Sequence, residues 1–329
     1  MKAHVASVGM YVPQRRMSNS ELTELVDTSD EWIYSHTGIR CRHIADDSEA
    51  ASDLAYHASI QALEQASLEP AQIDLVLLAT STPDYPGLPS TASIVQDRIG
   101  AKKAGAMDIA AACTGFVYGV ETARAFVSSG AARTVLVIGS EVYSRILNWR
   151  DRDTCVLFGD GAGAVIVKRS DEEAGQSEVL DSFLRSRGSG ARTLLRPTGG
   201  SRTPFVPGET EIESTRLSMD GRRVYMFAVG ALTDVVNYLL ERNNLTIDQI
   251  DHIVPHQANI RIIDAACKRG RFPPEKFFTN LEEYANTSAA SIPIALHEMV
   301  EKGRLQRGDM VITVGFGAGL TYGGNLIRW

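Results

Sequence analysis

No pair of cysteines in this chain is spaced for a metal or a covalent staple. The four, Cys41, Cys113, Cys155 and Cys267, are far apart and form no C-x-x-C unit. That suggests neither a zinc site nor a disulfide framework and fits thiols kept reduced inside a cell. Basic residues do not dominate either: 33 Lys and Arg stand against 40 Asp and Glu, a formal net charge of −7. A nucleic-acid partner, which needs a basic face against phosphate, is not expected. No stretch approaches the roughly 20 apolar residues of a membrane span. The first thirteen residues, Met1–Pro13, alternate like a strand and have no signal peptide's apolar core. A cytoplasmic protein without membrane contact is the expectation. Nor does any linker or low-complexity tract divide the 329 residues, which suffice for one large domain or two half-domains of roughly 150 residues.

Apolar runs of strand length recur in the same order in both halves. Ile73–Leu78 and Ile250–Pro255 both begin Ile-Asp, and Thr134–Gly139 resembles Met310–Gly315. Glycine-bearing turns follow, then the closing strands Ala164–Val167 and Gly324–Ile327. Two similar α/β halves with mixed, largely buried sheets are the natural outcome. Arg187–Ser214, rich in Gly, Pro, Arg, Ser and Thr, reads as a long loop that could wall a site.

Three segments could carry chemistry. In Asp108–Phe116 a short apolar segment runs through small residues to Cys113 and then into a helix-like stretch. A thiol at a buried helix start feels the positive end of the dipole, which favours the thiolate nucleophile; a buried structural cysteine fits the same residues. Cys41 between arginines in a loop, Cys155 entering a strand and Cys267 on an amphipathic helix lack that setting. His256 follows a strand that ends at Pro255, at the carboxyl end where α/β sheets face ligands, and then starts a helix; a surface histidine fits too. Asn286 precedes a run of small residues leading into a helix, and capping that helix would account for it. Gly315-Phe316-Gly317-Ala318-Gly319 could present backbone N–H groups to an oxyanion, but has no dinucleotide or P-loop spacing.

Taken in order, these segments resemble the β-ketoacyl-acyl-carrier-protein synthase III family over nearly the whole chain. The similarity is carried by Thr28–Ile33, Thr37–Arg40, the Cys113 segment, Leu157–Gly163, Pro255–Asn259 and Asn286–Ala290. The resemblance implies a thiolase fold of five layers, α-β-α-β-α, built from residues 1–173, which carry the nucleophile, and 174–329, which carry His and Asn. It implies a homodimer that uses acyl-CoA and an acyl carrier protein, with CoA thioesters as substrates and no metal or redox cofactor. Cys113 would take the acyl group, and His256 and Asn286 would stabilise the enolate formed when malonyl thioester loses carbon dioxide. The backbone N–H groups of Cys113 and Ala318 would form the oxyanion hole. Trp32 and Arg152 would sandwich the CoA adenine, and Asn259 would bond the pantetheine arm. Phe158, Phe316 and, across the dimer, Leu88 would bound the acyl pocket. Arg261, Lys268 and Arg269 would dock the carrier protein.

Four features depart from the family pattern: His36 replaces an arginine, Met226 a lysine and Ala318 a glycine, and the Arg192–Arg216 loop is long. They leave open which acyl donor is used. A specialised condensing enzyme or acyltransferase of the same family would share the cysteine. A Cys–His–Asn thioester hydrolase, with histidine as base to the sulfur, is the alternative from another class.

Overall fold

The computed structural model describes residues 1–170 and 177–329; the expected boundary between residues 173 and 174 lies outside the described residues. The apolar runs become the centres of two sheets. The first contains β1 (Ala3–Tyr11), β4 (Leu75–Ala79), β5 (Gly105–Ile109), β6 (Thr134–Glu141) and β7 (Gly161–Arg169), ordered β1-β7-β6-β4-β5. The second contains β8 (Glu178–Ser186), β11 (His252–Pro255), β12 (Met310–Gly317) and β13 (Thr321–Arg328), ordered β11-β12-β13-β8. Two short ribbons complete the strands: β2 (Arg15–Ser18) with β3 (Cys41–Ile44), and β9 (Leu194–Leu195) with β10 (Ser218–Met219).

Pairing repeats between the sheets. In the first, β4 and β6 are parallel, β6 and β7 antiparallel, and β7 and β1 antiparallel. In the second, β11, β12, β13 and β8 repeat that sequence of directions. Where β5 flanks β4, the second sheet has only a parallel bridge between Ile253 and Phe277.

Every residue of β6 is buried, because both faces of its sheet are covered. Val135 and Val137 join the core between the sheets, while Leu136 and Ile138 join the outer core, as the two-residue period of a strand requires. The helices are α1 (Asn19–Leu22), α2 (Asp30–Thr37), α3 (Ala51–Gln65), α4 (Thr91–Arg98), α5 (Gly115–Ser129), α6 (Arg152–Cys155), α7 (Gly221–Arg242), α8 (Ile260–Gly270), α9 (Leu281–Tyr284) and α10 (Ser291–Glu301). α3 and α4 cover the outside of the first sheet, α5 and α10 lie between the sheets, and α7 and α8 cover the second. This is the five-layer arrangement expected of a thiolase fold.

Several local expectations change. Cys41 lies in β3, not in a loop; its strand is defined by pairing with β2, which no local period signals. Cys155 ends helix α6, not a strand, because Asp151 caps that turn by accepting from the Asp153 N–H. Pro255 is paired inside β11 with Val314, tolerated because β11 is an edge strand. His256 does not start a helix: its N–H donates to Val314 O at 2.7 Å, and α8 begins at Ile260. Among the described residues α7 alone is long and apolar enough to cross a membrane, where no such stretch was expected. Its apolar side, including Leu232, Val235, Val236 and Leu239, is buried in the outer core of the second sheet.

Candidate active site

Cys113 sits where β5 turns into α5. Ala112 before it has φ +47°, a left-handed conformation costing of order 1 kcal/mol or more for a residue with a Cβ. The turn aims the sulfur between the layers. Gly317, at the end of β12, makes the approach feasible: a Cβ there would lie 2.9 Å from both the Cβ and the N of Cys113. Ser288 Oγ lies 3.2 Å from Cys113 Sγ. Burial pushes the thiol up to about 12, so the expected resting thiolate is not met. A helix dipole returns only about 1 kcal/mol, too little to offset full desolvation of the sulfur anion.

His256 is carried by the end of β11 and Asn286 by the segment between α9 and α10. Both are buried. His256 Nδ1 lies 2.7 Å from Ser291 Oγ, which is also 2.9 Å from Ser288 O. The single serine proton has two acceptors in reach: given to Nδ1 it leaves the imidazole proton on Nε2, and given to the Ser288 carbonyl it leaves Nδ1 as the donor to Ser291 Oγ. Burial drops the His256 pKa to about 3, so the ring is neutral at working pH. Phe316 packs edge-on against it, with ring centroids 5.3 Å apart. Asn286 Oδ1 accepts from the Ser288 N–H at 2.9 Å, which fixes the amide and leaves Nδ2 to donate. That i→i+2 bond is the kind an N-cap makes, on the turn Ser288–Ala290 that leads into α10, so the capping its sequence context suggested is present beside its place in the site; its backbone N–H donates to Leu157 O at 2.9 Å, beside Phe158.

Cys113, His256 and Asn286 share one cavity of about 590 Å³ with Phe158, Phe316, Trp32, Arg152, Asn259 and Arg261. Leu194 brings the long loop to its wall, as anticipated, and α7 adds Arg222, Val224, Tyr225 and Phe227. Two entrance details bear on the expected CoA contacts. The Arg152 guanidinium rests 4.7 Å above the Trp32 ring, so an adenine would have to part the two before stacking between them. Asn259 already uses both ends of its amide: Oδ1 caps α8 at the Arg261 N–H (2.8 Å) and Nδ2 donates to His36 O (3.1 Å). His36 itself stacks on Trp32, with centroids 4.4 Å apart, where a longer arginine could reach outward.

Leu88 is not in this chain's cavity but 88% exposed. Ala318 follows Gly317 directly and packs against the apolar cluster that contains Phe158 and Leu194. Lys268 and Arg269 are exposed on α8 with Arg261, and Met226 is exposed on α7. Sequence reasoning missed Ser288, Ser291 and Glu141. The serines stood inside or beside the Asn286 motif; the only signal for Glu141 was a carboxylate ending the otherwise uncharged strand Thr134–Glu141.

Comparison with known proteins agrees with this geometry. Residues 107–188 match the family model of 3-oxoacyl-[acyl-carrier-protein (ACP)] synthase III, and residues 240–329 match that of its C-terminal part. A β-ketoacyl-[acyl-carrier-protein] synthase III of Caldanaerobacter subterraneus subsp. tengcongensis is 48% identical over 99% of this chain and 98% of its own length. The solved 3-oxoacyl-[acyl-carrier-protein] synthase III of Aquifex aeolicus VF5 is 41% identical, with a TM-score of 0.91 over 99% of this chain and 100% of that one. The solved priming β-ketosynthase of the R1128 polyketide pathway is 35% identical, with a TM-score of 0.91 over 99% and 96%. The chain thus belongs to the β-ketoacyl-[acyl-carrier-protein] synthase III family of thiolase-fold condensing acyltransferases.

Proposed function

We propose that the chain initiates fatty-acid synthesis by joining an acyl group from acyl-CoA to malonyl-acyl carrier protein, with Cys113, His256 and Asn286 as the reacting set. The observation carrying this is the shared cavity, in which Ser291 and Ser288 restrain His256 and Asn286 from behind. Cys113 sulfur attacks the thioester carbonyl, CoA leaves, and an acyl-enzyme remains. The Nε2–H tautomer of His256 and the Asn286 Nδ2 then donate to the malonyl thioester oxygen, stabilising the enolate as carbon dioxide departs. The enolate carbon attacks the acyl carbonyl and expels the sulfur, giving a β-ketoacyl product. The backbone N–H groups of Cys113 and Ala318 hold the tetrahedral oxyanion. No step needs a metal or redox cofactor.

CoA enters past Trp32 and Arg152, with Asn259 along its arm. An acidic carrier protein docks on Arg261, Lys268 and Arg269. Arg222 and Arg223 reinforce that patch. They occupy the first turn of α7, where the helix dipole disfavours cations, and Arg222 is one turn from Met226. The active form is a cytoplasmic homodimer in which the exposed Leu88 floors the partner's acyl pocket, closed on its own side by Phe158 and Phe316.

A papain-type hydrolase fits less well. Such a site needs a cysteine–histidine pair that readily ionises and an asparagine that orients the ring. Here burial moves thiol and imidazole in the opposite directions, and the Nδ1 partner is Ser291 rather than Asn286. A specialised family member would share the chemistry and differ in its acyl donor.

Cys113→Ala is expected to abolish acyl transfer. His256→Ala and Asn286→Ala are expected to form acyl-enzyme yet release no carbon dioxide from malonyl thioester, measured by intact mass and by trapping labelled carbon dioxide. Condensation surviving in Cys113→Ala would overturn the assignment.

A further inference from the structure

Behind the nucleophile lies a carboxylate that the condensation scheme leaves without a task. Glu141 ends β6 fully buried, and its Oε1 lies 2.9 Å from Ser288 Oγ, the same hydroxyl that lies 3.2 Å from Cys113 Sγ. Its Oε2 accepts from the Ser81 N–H at 2.9 Å, from Thr82 Oγ1 at 2.8 Å and from Thr80 Oγ1 at 3.3 Å. The titratable groups facing it are Cys113 and Tyr143, whose hydroxyl is 3.4 Å from Ser288 Oγ. Neither is a cation, and the other partners are hydroxyls and backbone N–H groups. A buried carboxylate held only by neutral donors is costly, and burial raises this one to about 7. Cys113 lines the cavity, whereas Ser288 and Glu141 form no part of its wall. The chain of atoms therefore leads from the sulfur away from the substrate.

We propose that Glu141 receives the Cys113 thiol proton through the Ser288 hydroxyl, stores it while the acyl group is on sulfur, and returns it when the sulfur is expelled. Ser288 touches the reacting sulfur, and Glu141 acts through it as a positioning residue. This rests on the acyl-Cys113 scheme above. The Sγ–H bond breaks as its proton passes to Ser288 Oγ, and the serine's own proton passes to Glu141 Oε1. The thiolate pair forms the S–C bond, and the CoA sulfur leaves with the electrons of its own C–S bond and takes a proton from solvent. In the second half the C–C bond forms with the pair freed by loss of carbon dioxide. The acyl C–S bond breaks toward Cys113, and the stored proton returns by the same path. Such a relay resolves how a thiol held so far above neutrality by burial reacts at all.

The test is the rate at which iodoacetamide alkylates Cys113, read by peptide mass between about pH 5.5 and 9.5, a range bracketing the expected carboxylate midpoint. Alkylation does not depend on the CoA site. With the relay, the rate rises as Glu141 ionises near pH 7 and then levels off, because further reaction draws on a proton already accepted within the pair. Glu141→Gln and Ser288→Ala lose the plateau and climb nearly tenfold per pH unit. At pH 7 they fall roughly 100-fold, the low end for a positioned proton acceptor. A wild-type profile without a plateau, or an unchanged plateau in folded variants, would overturn the proposal. Should Glu141→Gln fail to fold, the wild-type profile and Ser288→Ala still decide. Parallel incubation with acyl-CoA separates the two ideas: a mass gain on Cys113 with unchanged plateaus sinks the relay alone, and no gain in any form sinks the acyl-enzyme.

Discussion

At the scale of single residues, the site is set by hydroxyls behind the reacting groups. Ser291 Oγ contacts His256 Nδ1 and also the carbonyl of Ser288, so it chooses which imidazole nitrogen carries the proton. Ser291→Ala is expected to slow decarboxylative condensation roughly tenfold, the equivalent of one hydrogen bond of about 1.4 kcal/mol. Acylation of Cys113, measured separately by mass, should be unchanged; equal loss in both halves would argue for general damage. Cys113, His256 and Asn286 were legible in the sequence because each sits in a motif with a strong family resemblance. Glu141 was not, since its meaning depends on Ser288, a contact spanning 147 positions. Nor could sequence reveal that burial outweighs the helix dipole at Cys113, because burial belongs to the packed layers and not to the local segment.

At the scale of elements, the strongly patterned strands and helices were readable and the weakly patterned ones were not. β6 and β12 announced themselves as largely apolar runs, Val135–Gly139 and Met310–Gly317 with Thr313 as the one polar residue. β3 and the one-turn α6 exist through a partner strand and a cap, so Cys41 lies in a strand rather than a loop and Cys155 in a helix rather than a strand. α8 shows one residue serving two ends. Asn259 caps the helix while its Nδ2 ties that end to His36 on α2. Asn259→Ala is expected to lower stability by about 1 kcal/mol, the usual worth of a lost cap, and to raise the KM for acyl-CoA as the α2–α8 entrance loosens. Thermal unfolding and steady-state kinetics check the two effects; an unchanged KM would confine Asn259 to capping.

At the scale of the whole molecule, the same strand order built twice places the nucleophile from the first sheet against His256 and Asn286 from the second half of the chain. The echo visible in the sequence anticipated that order. What the fold adds is the central layer of α5 and α10, which brings residues more than 140 positions apart into one cavity. Leu88, 88% exposed on the single chain, bears on the proposed homodimer. Leu88→Trp should leave the dimer intact by sedimentation but shorten the longest acyl-CoA accepted, by narrowing the partner's pocket. An unchanged chain-length profile would remove Leu88 from the acyl site.

The most direct test of the central claim is the intact mass of the wild-type protein after incubation with a panel of acyl-CoAs, followed by malonyl-acyl carrier protein. The account predicts a gain of one acyl group mapping to Cys113, discharged as a β-ketoacyl product on the carrier protein. An acyl group that never appears on Cys113, or that is lost only to water, would contradict it.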